Sequence, residues 1–260
     1  RRITDTPGQE RTFCFAPDGR TVYYDSERDG LWQIFSSTIV DPAEKTFPYA
    51  SALKEELVFS ADSLPAQQPE VSPDGKKLAF LRDRTELVVL DLGTKKAVTA
   101  LDGKYNYSYS DGDISFSWSP DSRWLLVDYI GTGGWNNTDI ALVAADGSEV
   151  VDLTESGYAD GNAQWALGGK AITYESGRYG MKSHGSWGNQ TDILLMVLDP
   201  QAWEEFHLTP EEQALAKKDE ESSENSESSE SSESSKKSKK AKKSKKDKKK
   251  SKEEPVKAIP

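Results

Sequence analysis

Residues 69–82 read Pro69-Glu70-Val71-Ser72-Pro73-Asp74-Gly75-Lys76-Lys77-Leu78-Ala79-Phe80-Leu81-Arg82. The quartet Ser72-Pro73-Asp74-Gly75 has the chemistry of a tight turn. Proline presets φ at the second position, aspartate accepts local backbone hydrogen bonds, and glycine takes the positive φ at the exit. Apolar residues flank it on both sides, which is the signal of a β-hairpin. The same turn recurs as Ala16-Pro17-Asp18-Gly19 and Ser119-Pro120-Asp121-Ser122, with a worn copy at Ala166-Leu167-Gly168-Gly169. The third position of each quartet falls at 18, 74, 121 and 168, so the spacings are 56, 47 and 47.

Around each quartet the flanks repeat too. Phe13-Cys14-Phe15, Val71, Phe116-Ser117-Trp118 and Trp165 lead in. Val22, Leu78, Leu125 and Ile172 follow at a fixed offset of three from the last turn residue. Third strands are expected at Leu31–Phe35, Leu87–Leu90, Ile140–Val143 and Ile193–Val197. Fourth strands are expected at Leu57-Val58-Phe59-Ser60, Ala97-Val98-Thr99, Asp152-Leu153-Thr154 and His207-Leu208-Thr209. Four short strands at a period near 50 describe a β-propeller blade. A β-sandwich has no need of the same turn at every fourth strand. The reading is an all-β chain with four four-stranded antiparallel blades of a larger ring, at about residues 5–60, 61–100, 101–155 and 156–210. Arg2-Ile3-Thr4 matches a blade-ending strand, so further blades are expected upstream. The stretch Tyr105–Ser110 breaks the spacing and reads as an insertion.

Charge divides the chain. Of 33 basic and 44 acidic residues, 15 and 12 lie in 211–260, which leaves 18 against 32 and a net of −14 in 1–210. The tail alternates Ser and Glu to Ser235, and 236–252 then holds 12 Lys and one Asp. With no large apolar residue to seed a core, 211–260 is expected to be a disordered Ser/Glu/Lys-rich linker, with Glu211–Lys218 able to form a short helix. The apolar turn of composition at Pro255–Pro260 suggests a further folded unit. The acidic body argues against nucleic acid as a partner. No window approaches the roughly 18 apolar residues of a membrane helix.

Candidate chemistry is sparse. A nucleophilic triad needs a nucleophile, a base and an orienting acid in contact. The two histidines are His184, in a Gly-rich loop, and His207, in an expected strand. Gly185-Ser186-Trp187-Gly188 lacks the spacing of a nucleophile elbow. The lone Cys14 reads as a small core residue and excludes both a disulfide framework and a cysteine-rich metal site. Asp18, Asp74 and Asp121 belong to the repeated turn and read as structural. No catalytic residue, cofactor site or metal site is expected. Two loops between second and third strands remain as interaction candidates: Gly131–Asn137 with Trp135, and Gly177–Asn189 with Arg178, Tyr179, His184 and Trp187. Exposed aromatics and arginine on loops suit contact with peptide or protein ligands.

The quartets and their alternating flanks resemble the Pro-Asp-Gly propeller repeats of TolB, of tricorn proteases and of prolyl-oligopeptidase relatives. Within that group, Gly180-Met181-Lys182-Ser183-His184, Trp187-Gly188 and the charged linker resemble bacterial tricorn homologues. That resemblance implies a non-catalytic scaffold and substrate gate within a serine peptidase that degrades oligopeptides. Its other domains would include missing blades, a second propeller and a peptidase domain. The alternative is a TolB-like protein-interaction propeller without enzymatic activity. Cytoplasm and bacterial periplasm both stay open, as does a homo-oligomer.

Overall fold

The computed structural model describes residues 2–61, 63–131, 134, 136–181, 190–216 and 218. It divides into two units, Arg1–Met196 and Val197–Pro260. The first is built from four antiparallel meander sheets. The first blade is β1 (Glu10–Phe15), β2 (Thr21–Ser26), β3 (Gln33–Ile39) and β4 (Leu53–Phe59). The second is β5 (Ala66–Val71), β6 (Lys77–Arg82), β7 (Glu86–Asp91) and β8 (Ala97–Leu101). The third is β9 (Phe116–Trp118), β10 (Trp124–Tyr129), β11 (Asp139–Ala144) and β12 (Val150–Asp152). The fourth has three strands, β13 (Asp160–Ala166), β14 (Ala171–Ser176) and β15 (Asp192–Val197). Strand order follows chain order in every sheet. These are β-propeller blades.

Each quartet joins the first two strands of its blade, and its aspartate acts as read from the sequence. Asp18, Asp74 and Asp121 accept the backbone N–H two residues on, from Arg20, Lys76 and Arg123. The Ser72 hydroxyl also donates to Asp74, and this bond holds the Asp74 carboxyl below the usual range. In the third copy, Ser122 replaces glycine and adopts φ 60. Its hydroxyl accepts the Asp74 N–H of the preceding blade at 3.0 Å, which offsets the backbone strain.

The anchors after the turns, Val22, Leu78, Leu125 and Ile172, are all buried. Leu78 joins Ile34, Phe80, Val88 and Leu90 in a cluster between the first and second blades. Leu125 joins Leu81, Leu87, Trp118, Val127 and Val143 in a larger one between the second and third. Trp118 ties these blades further, its indole N–H donating to the Glu70 carbonyl oxygen at 2.9 Å.

A second inter-blade device is a bulge. Pairing slips in β1, β5 and β13, between Glu10 and Phe13, Gln67 and Glu70, and Gly161 and Gln164. Gln68 and Asn162 there adopt φ 59 and 54. The Asp25 carboxylate takes the N–H groups of Arg11 and Thr12 in its own blade and of Gln68 in the next. Asp128 accepts the Asn162 N–H at 2.9 Å. Leu81 holds the corresponding place on β6, and β9 of the third blade pairs without such a slip.

Two expected strands are replaced. Arg2-Ile3-Thr4 forms no strand, and Ile3 packs against the apolar cluster of Val22, Tyr24, Phe35 and Phe47. His207-Leu208-Thr209 is no fourth strand either. In the second unit, Asp199 caps α1 (Pro200–Phe206) by accepting the Ala202 N–H, and Pro200 opens the helix. His207 ends that helix with its ring 4.1 Å from that of Trp203. Residues 210–216 are helical. The tail 219–260 lies outside the described residues, as do Trp135, His184 and Trp187.

Candidate interaction site at the loop end

Meander topology sorts the connections. Turns after first and third strands open at one end of each blade. Loops after second and fourth strands open at the other. The second group contains 102–115 and the described parts of the two candidate loops, 130–131, 134, 136–138, 177–181 and 190–191, so these share one end of the unit.

Arg178 and Tyr179 are placed there. The Arg178 N–H donates to the Ser176 hydroxyl at 3.2 Å, and its guanidinium lies 5.7 Å from the Tyr158 ring centroid. Tyr179 is 72% exposed. The neck of this loop is closed: the Gln190 N–H donates to the Met181 carbonyl oxygen at 3.1 Å. A Cβ at Gly180 would fall 1.8 Å from the Gln190 carbonyl oxygen, so only glycine fits the neck. The described part of the loop thus begins on a fixed base.

The insertion is the larger feature, and the sequence signalled it only as a break in spacing. Its base is tied to three blades. Asp111 accepts from Arg11 of the first blade and pairs with Arg84 of the second, 2.9 Å from Nε. That second pair is an ion contact without hydrogen-bond alignment, since Arg84 Nε has no hydrogen-bond partner among the described residues. The Asn106 amide donates to the Thr85 carbonyl oxygen, and the Ile130 N–H of the third blade donates to that of Tyr105. Asp113 accepts the N–H groups of Tyr109 and Ser110. Tyr105, Tyr107 and Tyr109 are 39%, 54% and 85% exposed.

A separate groove of about 420 Å³ runs over the open face of the first blade, lined by Ile3, Phe13, Phe15, Val22 and Tyr24. Phe13 and Phe15 stand well exposed along it.

Buried acids lie at the blade junctions. Burial pushes the Glu70 carboxyl up to about 7, against a partial lowering by a hydrogen bond from the Trp118 backbone. Burial likewise pushes Cys14 to about 11, so its sulfur is a thiol and not a nucleophilic thiolate at neutral pH. For Glu70 the sign is opposite to the usual carboxylate. The folded chain holds the proton more tightly than the unfolded one, so stability falls as pH rises from about 4.5 to about 7. Glu70→Gln is expected to remove that fall and to stabilise the protein by about 2 kcal/mol at pH 8. Urea unfolding at pH 5 and pH 8 measures it. An unchanged pH slope in the variant would contradict the assignment.

Among the described residues, no group of three or more His, Cys, Asp or Glu is arranged to hold a metal ion. No described helix is long and apolar enough to cross a membrane.

Solved structures similar to this one include TolB from Acinetobacter baumannii, with a TM-score of 0.50 at 16% identity over 75% of this chain. A TolB-like protein from Agrobacterium tumefaciens gives 0.46 at 21% identity over 71%. The chain spans 45% of the first and 60% of the second. At these identities the first likeness shows the fold alone, a β-propeller. No family model matches the chain, and no curated protein is similar to it in sequence.

Proposed function

We propose that this chain is a non-catalytic β-propeller that binds peptide or protein ligands at its loop end. The observation that carries the reading is the concentration of exposed tyrosines, Tyr107, Tyr109 and Tyr179, on loops whose bases are fixed to rigid blades, with the half-buried Arg178 beside the last of them. Aromatic and arginine side chains dominate contact energies, and a fixed base lowers the ordering cost of binding. Fold alone assigns no ligand, so the argument rests on the loops.

The test is a peptide array probed with the full chain, followed by titration of the hits. Binding is expected to weaken about tenfold in an Arg178→Ala, Tyr179→Ala variant or in loop 102–115 variants. Fluorogenic peptides are expected to pass through unhydrolysed. An array without hits would defeat the reading. Turnover that survives purification and disappears on Ser186→Ala or His184→Ala would replace it with a catalytic one.

A second reading is favoured by the likeness of the Gly177–Asn189 loop and the charged linker to bacterial tricorn homologues. There the arc would be the scaffold and substrate gate of a serine peptidase. The coding sequence beyond Pro260 decides it, since a second propeller and a peptidase domain would have to follow.

A further inference from the structure

The insertion between β8 and β9 combines three properties. The segment 102–113 reads Asp-Gly-Lys-Tyr-Asn-Tyr-Ser-Tyr-Ser-Asp-Gly-Asp, a composition of tyrosine, serine, asparagine and glycine that suits adaptable recognition surfaces. Its backbone is held in place. Asp102 caps the short 3₁₀ turn Gly103–Tyr105 through the Lys104 N–H, and a Cβ at Gly103 would meet Thr85 Oγ1 at 2.6 Å. Its rings nevertheless face solvent, Tyr107 at 54% and Tyr109 at 85%.

We propose, building on the protein-interaction reading above, that Tyr107 and Tyr109 form the docking surface for a basic, extended peptide segment of a partner protein. Charge selects the partner. Asp102 and Asp111 of the segment are met by Lys104, Arg11 and Arg84, so the sign of the field comes from the net −14 of residues 1–210. A field of that sign gathers cationic chains and repels nucleic acid. The ring faces complete the choice, because arginine and lysine are attracted to aromatic faces. The chain already makes such contacts here: Lys104 Nζ lies 4.8 Å from the Tyr105 centroid, and the Arg11 guanidinium 4.5 Å from that of Trp32. The pinned base lowers the ordering that a ligand must supply.

The experiment uses the full chain and a fluorescein-labelled peptide of alternating Arg and Gly, with a Ser-for-Arg peptide as control. Anisotropy is read at about 50 and about 300 mM salt, a range over which surface attraction is progressively screened. The Arg peptide is expected to bind, more weakly at the higher salt, and the Ser peptide not to bind. The double change Tyr107→Ala, Tyr109→Ala is expected to weaken the Arg peptide about tenfold, and a melting curve of the variant checks that it is folded. Tyr109→Phe keeps a ring face and is expected to retain most of the affinity. Equal affinity in the double variant overturns the proposal, and so does equal binding of the Ser peptide. If Arg178→Ala, Tyr179→Ala weakens the Arg peptide while the tyrosine changes do not, this proposal fails and the interaction reading stands. If neither this peptide nor any on the array binds, both fall.

Discussion

Phe80→Ala is expected to cost about 3–5 kcal/mol of stability, the range for deleting a large buried aromatic. Phe80 is fully buried at the joint of the first two blades, where its ring packs 4.5 Å from that of Phe59. The loss has two parts. The deleted ring no longer gains by leaving water on folding, and a cavity opens that the two sheets cannot close without shifting their register. Ile34, Leu78, Val88 and Leu90 line that space, and all four are held by backbone ladders. Urea unfolding followed by tryptophan fluorescence measures the effect. A loss below about 1 kcal/mol would mean that the first blade is not cemented to the second through this cluster.

Much of the fold was legible because its signal is local. A Pro-Asp-Gly turn sets its own φ values and its own hydrogen bonds, so Pro17, Pro73 and Pro120 announce hairpins without help from distant residues. The anchors at Val22, Leu78, Leu125 and Ile172 followed from counting onward, since a strand alternates faces with a period of two. At the end of the fourth blade a competing local signal decides the structure. Asp199 followed by Pro200 is a helix cap with proline at the first position, and it outweighs the faint likeness of His207-Leu208-Thr209 to a strand ending. For Arg2-Ile3-Thr4, a three-residue match carried too little pattern to fix a pairing. Of the five candidate interaction residues, Arg178 and Tyr179 sit at the loop end, while Trp135, His184 and Trp187 lie outside the described residues. Tyr107 and Tyr109 are not legible as a site in the sequence, because only topology shows that their loop shares an end with the others.

Least visible in the sequence was the carboxylate clamp, because its partners are distant and depend on a bulge. Asp25→Ala is therefore a direct test of how the blades are joined. Asp25 is 1% exposed and accepts four hydrogen bonds, from the N–H groups of Arg11, Thr12 and Gln68 and from the Thr12 hydroxyl. Alanine leaves these donors facing an apolar stub. Each orphaned donor costs about 1–3 kcal/mol where water cannot reach it. Because the bulge can admit some water, the expected total is about 3–5 kcal/mol. Asp25→Asn keeps one acceptor oxygen but turns an amide N–H₂ toward the same donors, so an intermediate loss is expected. Asp128→Ala should cost less, since Asp128 serves the bulge of the next blade alone, through Asn162 and Ala163. The middle joint differs in the strand it receives: β9 pairs with β10 without a slip, so no bulge turns N–H groups toward Leu81, which holds the place of the acid on β6. Hydrogen exchange localises the effect. The amides of Arg11, Thr12 and Gln68 should lose protection in Asp25→Ala before those of β7 and β11. Uniform loss across all four sheets would instead make Asp25 a general stabiliser rather than the clamp between two blades.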